Sequence, residues 1–307
     1  MSLPLLLLLT FLSPLIISAE VSITSEGKIL KGTLTNAAEN KTRIAFILSG
    51  SGPTDRDGNT VGAFGKHNCL KLLSDALVKE NISTLRVDKR GVAASAAAIA
   101  KENDLRFTTY VDDVSLWIKF LEQKGYQEII LIGHSEGALT ATMAAAKHDK
   151  VTKLISLAGI GYSAPIILRK QLKAAYPDDL FQQADKVITS LSKGNEVKNP
   201  PQSLHLLFRP SVQPYLISWF SIDPAKELAK LKIPTLVIQG STDLQTSPND
   251  AKRLHKHVIK SQLKIIDEMN HVLKKAKGDQ AAQIPSYIQP DMPLHPELAK
   301  VMVSFIK

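Results

Sequence analysis

Glu128-Ile129-Ile130-Leu131-Ile132 runs straight into Gly133-His134-Ser135-Glu136-Gly137, and Ala138-Leu139-Thr140-Ala141-Thr142-Met143-Ala144-Ala145-Ala146 follows. The first five residues, rich in Ile and Leu, read as a buried strand, and the alanine-rich stretch reads as a packed helix. A strand that becomes a helix within so few residues forces its apical residue into a strained backbone. Glycines on either side remove the β-carbons that would collide there. The spacing predicts that Ser135 stands clear of a sheet edge, its hydroxyl at a helix N-terminus. At average composition the G-x-S-x-G pattern alone arises in roughly a tenth of chains this long, so the flanking strand and helix carry the argument.

Outward from this turn, strands and helices alternate. Arg43 to Leu48, Ser83 to Val87, Leu154 to Ala158, Thr235 to Ile238 and Leu263 to Ile266 read as strands. Asn68 to Lys79, Val111 to Gln123, Pro248 to His257 and Lys300 to Ile306 read as helices, and Val21 to Thr24 with Ile29 to Thr35 as an opening hairpin. The alternation predicts an α/β fold, a mostly parallel central sheet with helices on both faces. The rhythm breaks after Gly159. Leu168, Leu172 and Ala175 share a helical face, as do Leu180, Ala184, Val187 and Leu191. After Pro210-Ser211, Val212, Tyr215, Leu216, Trp219 and Phe220 recur at helical spacing. We expect a helical lid over 160–223, inserted into a core made of 20–159 and 224–307. Tyr215, Trp219 and Phe220 are candidates to line a substrate pocket beneath it; packing of the lid onto the core is the competing reading.

Composition narrows the function classes. The 307 residues, 44% hydrophobic and 22% charged, suit one large domain with an insertion. The net charge of +9 is dispersed; its densest stretch, Lys252-Arg253-Leu254-His255-Lys256-His257, reads as a solvated helix face and lacks interleaved aromatics, so nucleic acid is not an expected partner. Residues 1–19 are uncharged, rich in Leu and Ile and broken by Pro4 and Pro14. They read as a signal peptide cut after Ile17-Ser18-Ala19, which implies a periplasmic or secreted protein with no stable membrane span after removal; an uncleaved anchor is the alternative. The single cysteine, Cys69, excludes an internal disulfide. No cofactor or metal is expected. Gly65-Lys66-His67 lacks the rest of a phosphate-binding loop, H-E-x-x-H is absent, and His255-x-His257 alone does not make a metal site.

A serine hydroxyl is a poor nucleophile at neutral pH, so Ser135 calls for a base and a carboxylate to orient it. In doubly wound sheets reactive groups gather where strands end. Thr235 to Ile238 runs into Gln239-Gly240-Ser241-Thr242-Asp243, and Leu263 to Ile266 into Asp267-Glu268-Met269-Asn270-His271. Asp243 and His271 are the candidates, with Asp267 the weaker rival for the carboxylate. His134 is expected to point away from the apex and pack structurally, while His67, His205 and His295 lie away from strand ends. Asp55, Arg56, Asp57, Asp88 and Arg90 are expected to form an ionic network beneath the site.

Four motifs in this order resemble the α/β-hydrolase superfamily, and more narrowly its bacterial serine-aminopeptidase-like esterases. They are the Ser135 turn, Ser49-Gly50-Ser51-Gly52-Pro53-Thr54-Asp55-Arg56-Asp57-Gly58-Asn59, Asp88-Lys89-Arg90-Gly91, and Gly240-Ser241-Thr242-Asp243 with Asn270-His271. The resemblance spans essentially the whole chain after the leader. It implies an α/β-hydrolase fold in which Ser135 is the nucleophile, His271 the general base and acid, and Asp243 its orienting carboxylate. It also implies an oxyanion hole from the backbone N–H groups of Glu136 and Ser51. Many relatives carry His-Gly where this chain has Ser49-Gly50; the backbone donor survives that change. The implied activity is cleavage of a small-molecule carboxylic ester through an acyl-enzyme. Aminopeptidase, amidase and thioesterase chemistry on the same triad, and a non-catalytic binding protein on the same fold, are the alternatives.

Overall fold

The computed structural model describes residues 17–37, 42–62 and 65–307. Eight strands form one sheet in the order β1-β2-β4-β3-β5-β6-β7-β8. Their ranges are β1 Ile17–Ser25, β2 Lys28–Asn36, β3 Arg43–Leu48, β4 Ser83–Val87, β5 Glu128–His134, β6 Val151–Leu157, β7 Thr235–Gly240 and β8 Ser261–Ile266. The β1–β2 hairpin is antiparallel and joins β4 antiparallel; the other six strands run parallel. This is the α/β-hydrolase architecture. Most of the expected leader, residues 1–16, lies outside the described residues. Its last three residues, Ile17, Ser18 and Ala19, pair with Asn36, Thr35 and Leu34, so β1 starts before the expected cleavage point.

The parallel strands are apolar on both faces, as strands buried between two helical layers must be. Along β5, Ile129 and Leu131 enter one core and Ile130 and Ile132 the other. The second core holds helices α1 (Cys69–Lys79) and, at the end of the chain, Pro296–Ile306. The first holds α2 (Phe107–Gln123), α3 (Glu136–Ala145) and, between β6 and β7, α4 (Ala164–Ala175), α5 (Asp178–Ser192), α6 (His205–Phe208), α7 (Gln213–Phe220) and α8 (Pro224–Leu228). Helix α9 (Pro248–Lys256) also packs there through Ala251 and Leu254.

The short helices α6 and α8 have no counterpart in the sequence reading, and neither does the longer α10, Gln280–Ile288, which carries Pro285 inside it. A proline in a helical pattern reads as a break, and here it sits in the last turn. The sheet order matters for function. From β3 the chain crosses to β4 on one side, then returns to place β5 on the other, and such a reversal leaves a crevice at the strand ends. Leu48, the last residue of β3, is level with Gly133 of β5. The Ser49-Gly50-Ser51 loop and the Ser135 turn therefore meet at that crevice.

Candidate active site

Ser135 is the N-cap of α3, with φ 56° and ψ −121°. Few non-glycine residues adopt such a backbone, and holding it costs about 1–3 kcal/mol. The neighbouring strands enforce it: the Ser135 N–H donates to the Leu157 carbonyl of β6 at 2.9 Å, and its own carbonyl accepts from Ala138 N–H at 3.1 Å. A side chain at Gly133 would run into the Gly137 carbonyl and the Ala138 backbone, and a β-carbon on Gly137 would lie 2.5 Å from the Ser49 oxygen. The two glycines let β5, α3 and the loop after β3 close on one another. A β-carbon on Gly50 would sit 3.1 Å from the Ser135 β-carbon, so that loop lies directly against the serine.

Asp243 follows β7 and His271 follows β8, and their side chains meet: Nδ1 of His271 is 2.8 Å from Oδ2 of Asp243. Asp243 also accepts from the Gln245 N–H at 2.8 Å, the Thr246 N–H at 3.0 Å, the Thr246 hydroxyl at 2.9 Å and the Gln239 amide at 2.9 Å. Burial opposes ionisation of this carboxyl. His271 and the backbone donors outweigh it, and the pKa is held below the ordinary value. A carboxylate in that position takes the Nδ1 proton's hydrogen bond and leaves Nε2 of His271 free to act as a base. His271 and Ser135 line one cavity of about 270 Å³. Asp267, the rival carboxylate, is engaged elsewhere, accepting from the Ser241 hydroxyl at 2.8 Å.

The turn carrying His271 is fastened from two sides. Asn270 donates from its amide to Ser286 of α10 at 2.7 Å and accepts from the Lys274 N–H at 3.1 Å. His134 fixes the backbone itself, since its Nε2 lies 2.9 Å from the His271 carbonyl oxygen and the two rings are 4.8 Å apart. Nε2 must carry the proton for that contact to be a hydrogen bond. Burial, reinforced by the nearby His271 ring, pushes the His134 pKa down to about 3, so the ring is neutral. The side chain thus packs structurally, but against His271 rather than away from the site. His67 also lies outside its expected setting. It lines the same cavity as Ser135 and His271, and burial lowers its pKa to about 4. No sequence signal marked it, because the extended approach to α1 brings it there.

The remaining expectations divide. Glu136 and Ser51 line, with Ser135, a second cavity of about 510 Å³. Tyr215 and Trp219 are on its wall, but Phe220 is not; it is buried in the core beside Trp219, the ring centroids 6.5 Å apart. The apolar stripe of α7 is wider than the cavity, and only part of it faces in. Of the ionic residues, Asp55, Arg56 and Asp88 lie close enough to Arg86 to act on its charge, and Arg90 stands apart with a partner of its own. Arg56 pairs with Asp88 at 2.7 Å, Arg86 with Asp57, and Arg90 with Asp113 at 2.6 Å. Lys89 is the unforeseen member. Its Nζ donates to the Gly50 carbonyl and stands 4.0 Å from the Glu136 carboxyl. Burial lifts the Glu136 carboxyl above its ordinary pKa, against the pull of Lys89. Among the described residues no cluster of three or more His, Cys, Asp or Glu side chains could hold a metal, and no helix is long and apolar enough to cross a membrane.

Residues 62–275 match the family described as "Serine aminopeptidase, S33". The chain belongs to this family of α/β-hydrolases. It is 25% identical over 240 residues to the esterase EstD of Thermotoga maritima, an alignment spanning 76% of this chain and 55% of that protein. It is 26% identical over 219 residues to the AB hydrolase superfamily protein YisY of Bacillus subtilis, across 64% of this chain and 77% of the relative. Among solved structures, Est1E from Butyrivibrio proteoclasticus with bound ferulic acid superposes with a TM-score of 0.60 at 16% identity, covering 93% of this chain and 98% of that one. The Pyrococcus furiosus esterase Pf2001 gives 0.59 at 16% identity, over 94% and 90%. At such identities the structural likeness speaks for the fold.

Proposed function

We propose that the protein is a serine hydrolase that cleaves carboxylic esters through an acyl-enzyme. The observation that carries this reading is the buried His271–Asp243 contact at 2.8 Å, opening on the same cavity as a serine held at φ 56°. In this reading Nε2 of His271 takes the Ser135 proton as Oγ adds to the ester carbonyl. The oxyanion is held by the N–H groups of Glu136, at the start of α3, and Ser51. The imidazolium then gives its proton to the departing alcohol as the C–O bond breaks. Water, deprotonated by the same ring, releases the acid and restores Ser135. The helices between β6 and β7 form the lid over this site, and the uncharged leader of residues 1–19 supports export to the periplasm or beyond.

The family's name raises cleavage of peptides at a free amino terminus as a second reading. An ammonium group calls for a carboxylate on the cavity wall. Among the described lining residues the only acidic side chain is Glu136, buried, with Lys89 beside it and a raised pKa. That wall suits a neutral ester better. The test is turnover of p-nitrophenyl esters beside aminoacyl anilides, with Ser135→Ala as the blank. We expect ester cleavage that vanishes in the blank; anilide cleavage exceeding ester cleavage would favour the peptidase.

A further inference from the structure

Two cavities meet at Ser135, and they differ in kind. The larger, about 510 Å³, runs under α4, α6 and α7 and is walled by Ile167, Leu168, Phe208, Leu216 and Trp219. Its cationic side chain, Arg209, is committed to Glu102, with Nε 2.8 Å from the carboxylate. The smaller, about 270 Å³, is lined by Thr54, Thr60, His67, Gln245, Tyr287 and His271. No Asp, Glu, Lys or Arg occurs among its described lining residues, and burial holds His67 and His134 neutral at pH 7. It is polar but uncharged.

The chemistry of the reaction assigns the two. When the C–O bond breaks, the proton on Nε2 of His271 must reach the departing oxygen, so the alcohol lies on the histidine's side while the acyl group stays on Ser135 Oγ. His271 lines the smaller cavity and is absent from the described wall of the larger. We infer that the apolar cavity under α4, α6 and α7 holds the acid and the polar cavity holds the alcohol. The preferred substrates are then esters of an apolar acid with a neutral, hydroxyl-bearing alcohol. The inference rests on the ester-hydrolase reading above. Hydroxyls on the alcohol would exchange hydrogen bonds with water for bonds to Thr54, His67 and Tyr287, which line the smaller cavity alone, and to Thr60 and Gln245, which stand where the two cavities meet. A cationic or anionic alcohol would find no counter-charge and would lose hydration.

The test crosses two substrate series on the purified protein. Acetate, butyrate, hexanoate, octanoate and laurate esters of one alcohol report on the acid. Octanoates of 1-butanol, diethylene glycol and choline report on the alcohol. We expect kcat/KM to rise about three- to fourfold per methylene until the cavity is full, and the diethylene glycol ester to exceed both the butyl and the choline ester. Leu216→Trp should move the acid optimum to shorter chains and keep the alcohol ranking. Tyr287→Phe should shrink the diethylene glycol preference and keep the acid optimum. A flat acid series, a preference for butyl or choline, or variants with exchanged effects overturns the assignment. Fluorophosphonate labelling of Ser135, followed in parallel, separates the two levels. If the serine is labelled and the series fail, the inference falls alone; if it is unlabelled and esters are not turned over, the hydrolase reading falls too.

Discussion

The two walls of the Ser135 crevice are built by opposite means. On the sheet side the polar groups around Ser135 are tethered: Asp243 accepts five hydrogen bonds, the His271 carbonyl is held by His134, and the Gly50 carbonyl by Lys89. On the side of α4 to α7 the wall is largely apolar, and buried Trp219 Nε1 has no hydrogen-bond partner among the described residues. A buried donor left unpaired costs about 1–3 kcal/mol. Positions that must be accurate to fractions of an ångström are fixed by sheet register and saturated polar contacts. Shape, which needs only volume and apolarity, is left to helices that pack.

Removing a reacting group on the tethered side should do the most damage. Ser135→Ala is expected to lower ester kcat by about 10⁶-fold, as loss of a nucleophile does in comparable triads. Activity surviving at more than a hundredth of wild type would mean that the tethering serves some other group. Asp243→Asn keeps the size but removes the charge that orients His271, and a loss of about 10⁴-fold in kcat is expected.

Lys89→Met asks whether the loop after β3 needs its tether. Loosening the Gly50 loop should lower kcat by up to about a hundredfold with a smaller change in KM, since misplacement by an ångström can cost that much. An unchanged kcat would show that packing against Ser135 suffices to hold it.

Acid titration probes the same side without mutation. The folded pKa of His134 is lowered from the ordinary 6.5 to about 3, and that of His67 to about 4, so the folded state favours both rings neutral. Their contribution to stability is complete above about pH 6.5 and is lost as pH falls through the interval down to the folded values, at up to about 1.4 kcal/mol per pH unit for each ring. His134→Gln keeps a donor for the His271 carbonyl and should flatten that slope in urea unfolding at pH 4 to 7. A slope identical to wild type would exclude His134 as its source.

The smallest effect belongs to the apolar wall. Trp219→Phe removes the unpaired N–H while keeping a ring against Phe107, whose centroid is now 6.1 Å from that of Trp219. The lost contact area and the relieved donor should nearly cancel, leaving stability within about 1 kcal/mol by urea unfolding.

The same contrast explains what the sequence disclosed. Ser135, Asp243 and His271 each follow an apolar run of strand length, and a parallel sheet delivers such positions to one edge, so local pattern and topology suffice to nominate them. The contacts that give His134 and Lys89 their places, with His271 and Gly50, join residues 137 and 39 positions apart, and His67 stands edge-on to the ring of Tyr287. No spacing rule encodes such meetings. The α7 stripe was legible as helix but not as cavity wall, because Phe220 and Trp219 are equally apolar and only the packing decides which faces in. Helix α10, which supplies Ser286 to Asn270 and Tyr287 to the polar cavity, was hidden by Pro285.

The central claim is that His271 activates Ser135 as a nucleophile. Peptide mapping after fluorophosphonate treatment tests it most directly, with the wild-type protein beside His271→Ala. One adduct is expected, on Ser135, formed at a rate that falls by orders of magnitude in the variant. Ester turnover by a protein that carries no Ser135 adduct, or labelling equally fast without the imidazole, would contradict it.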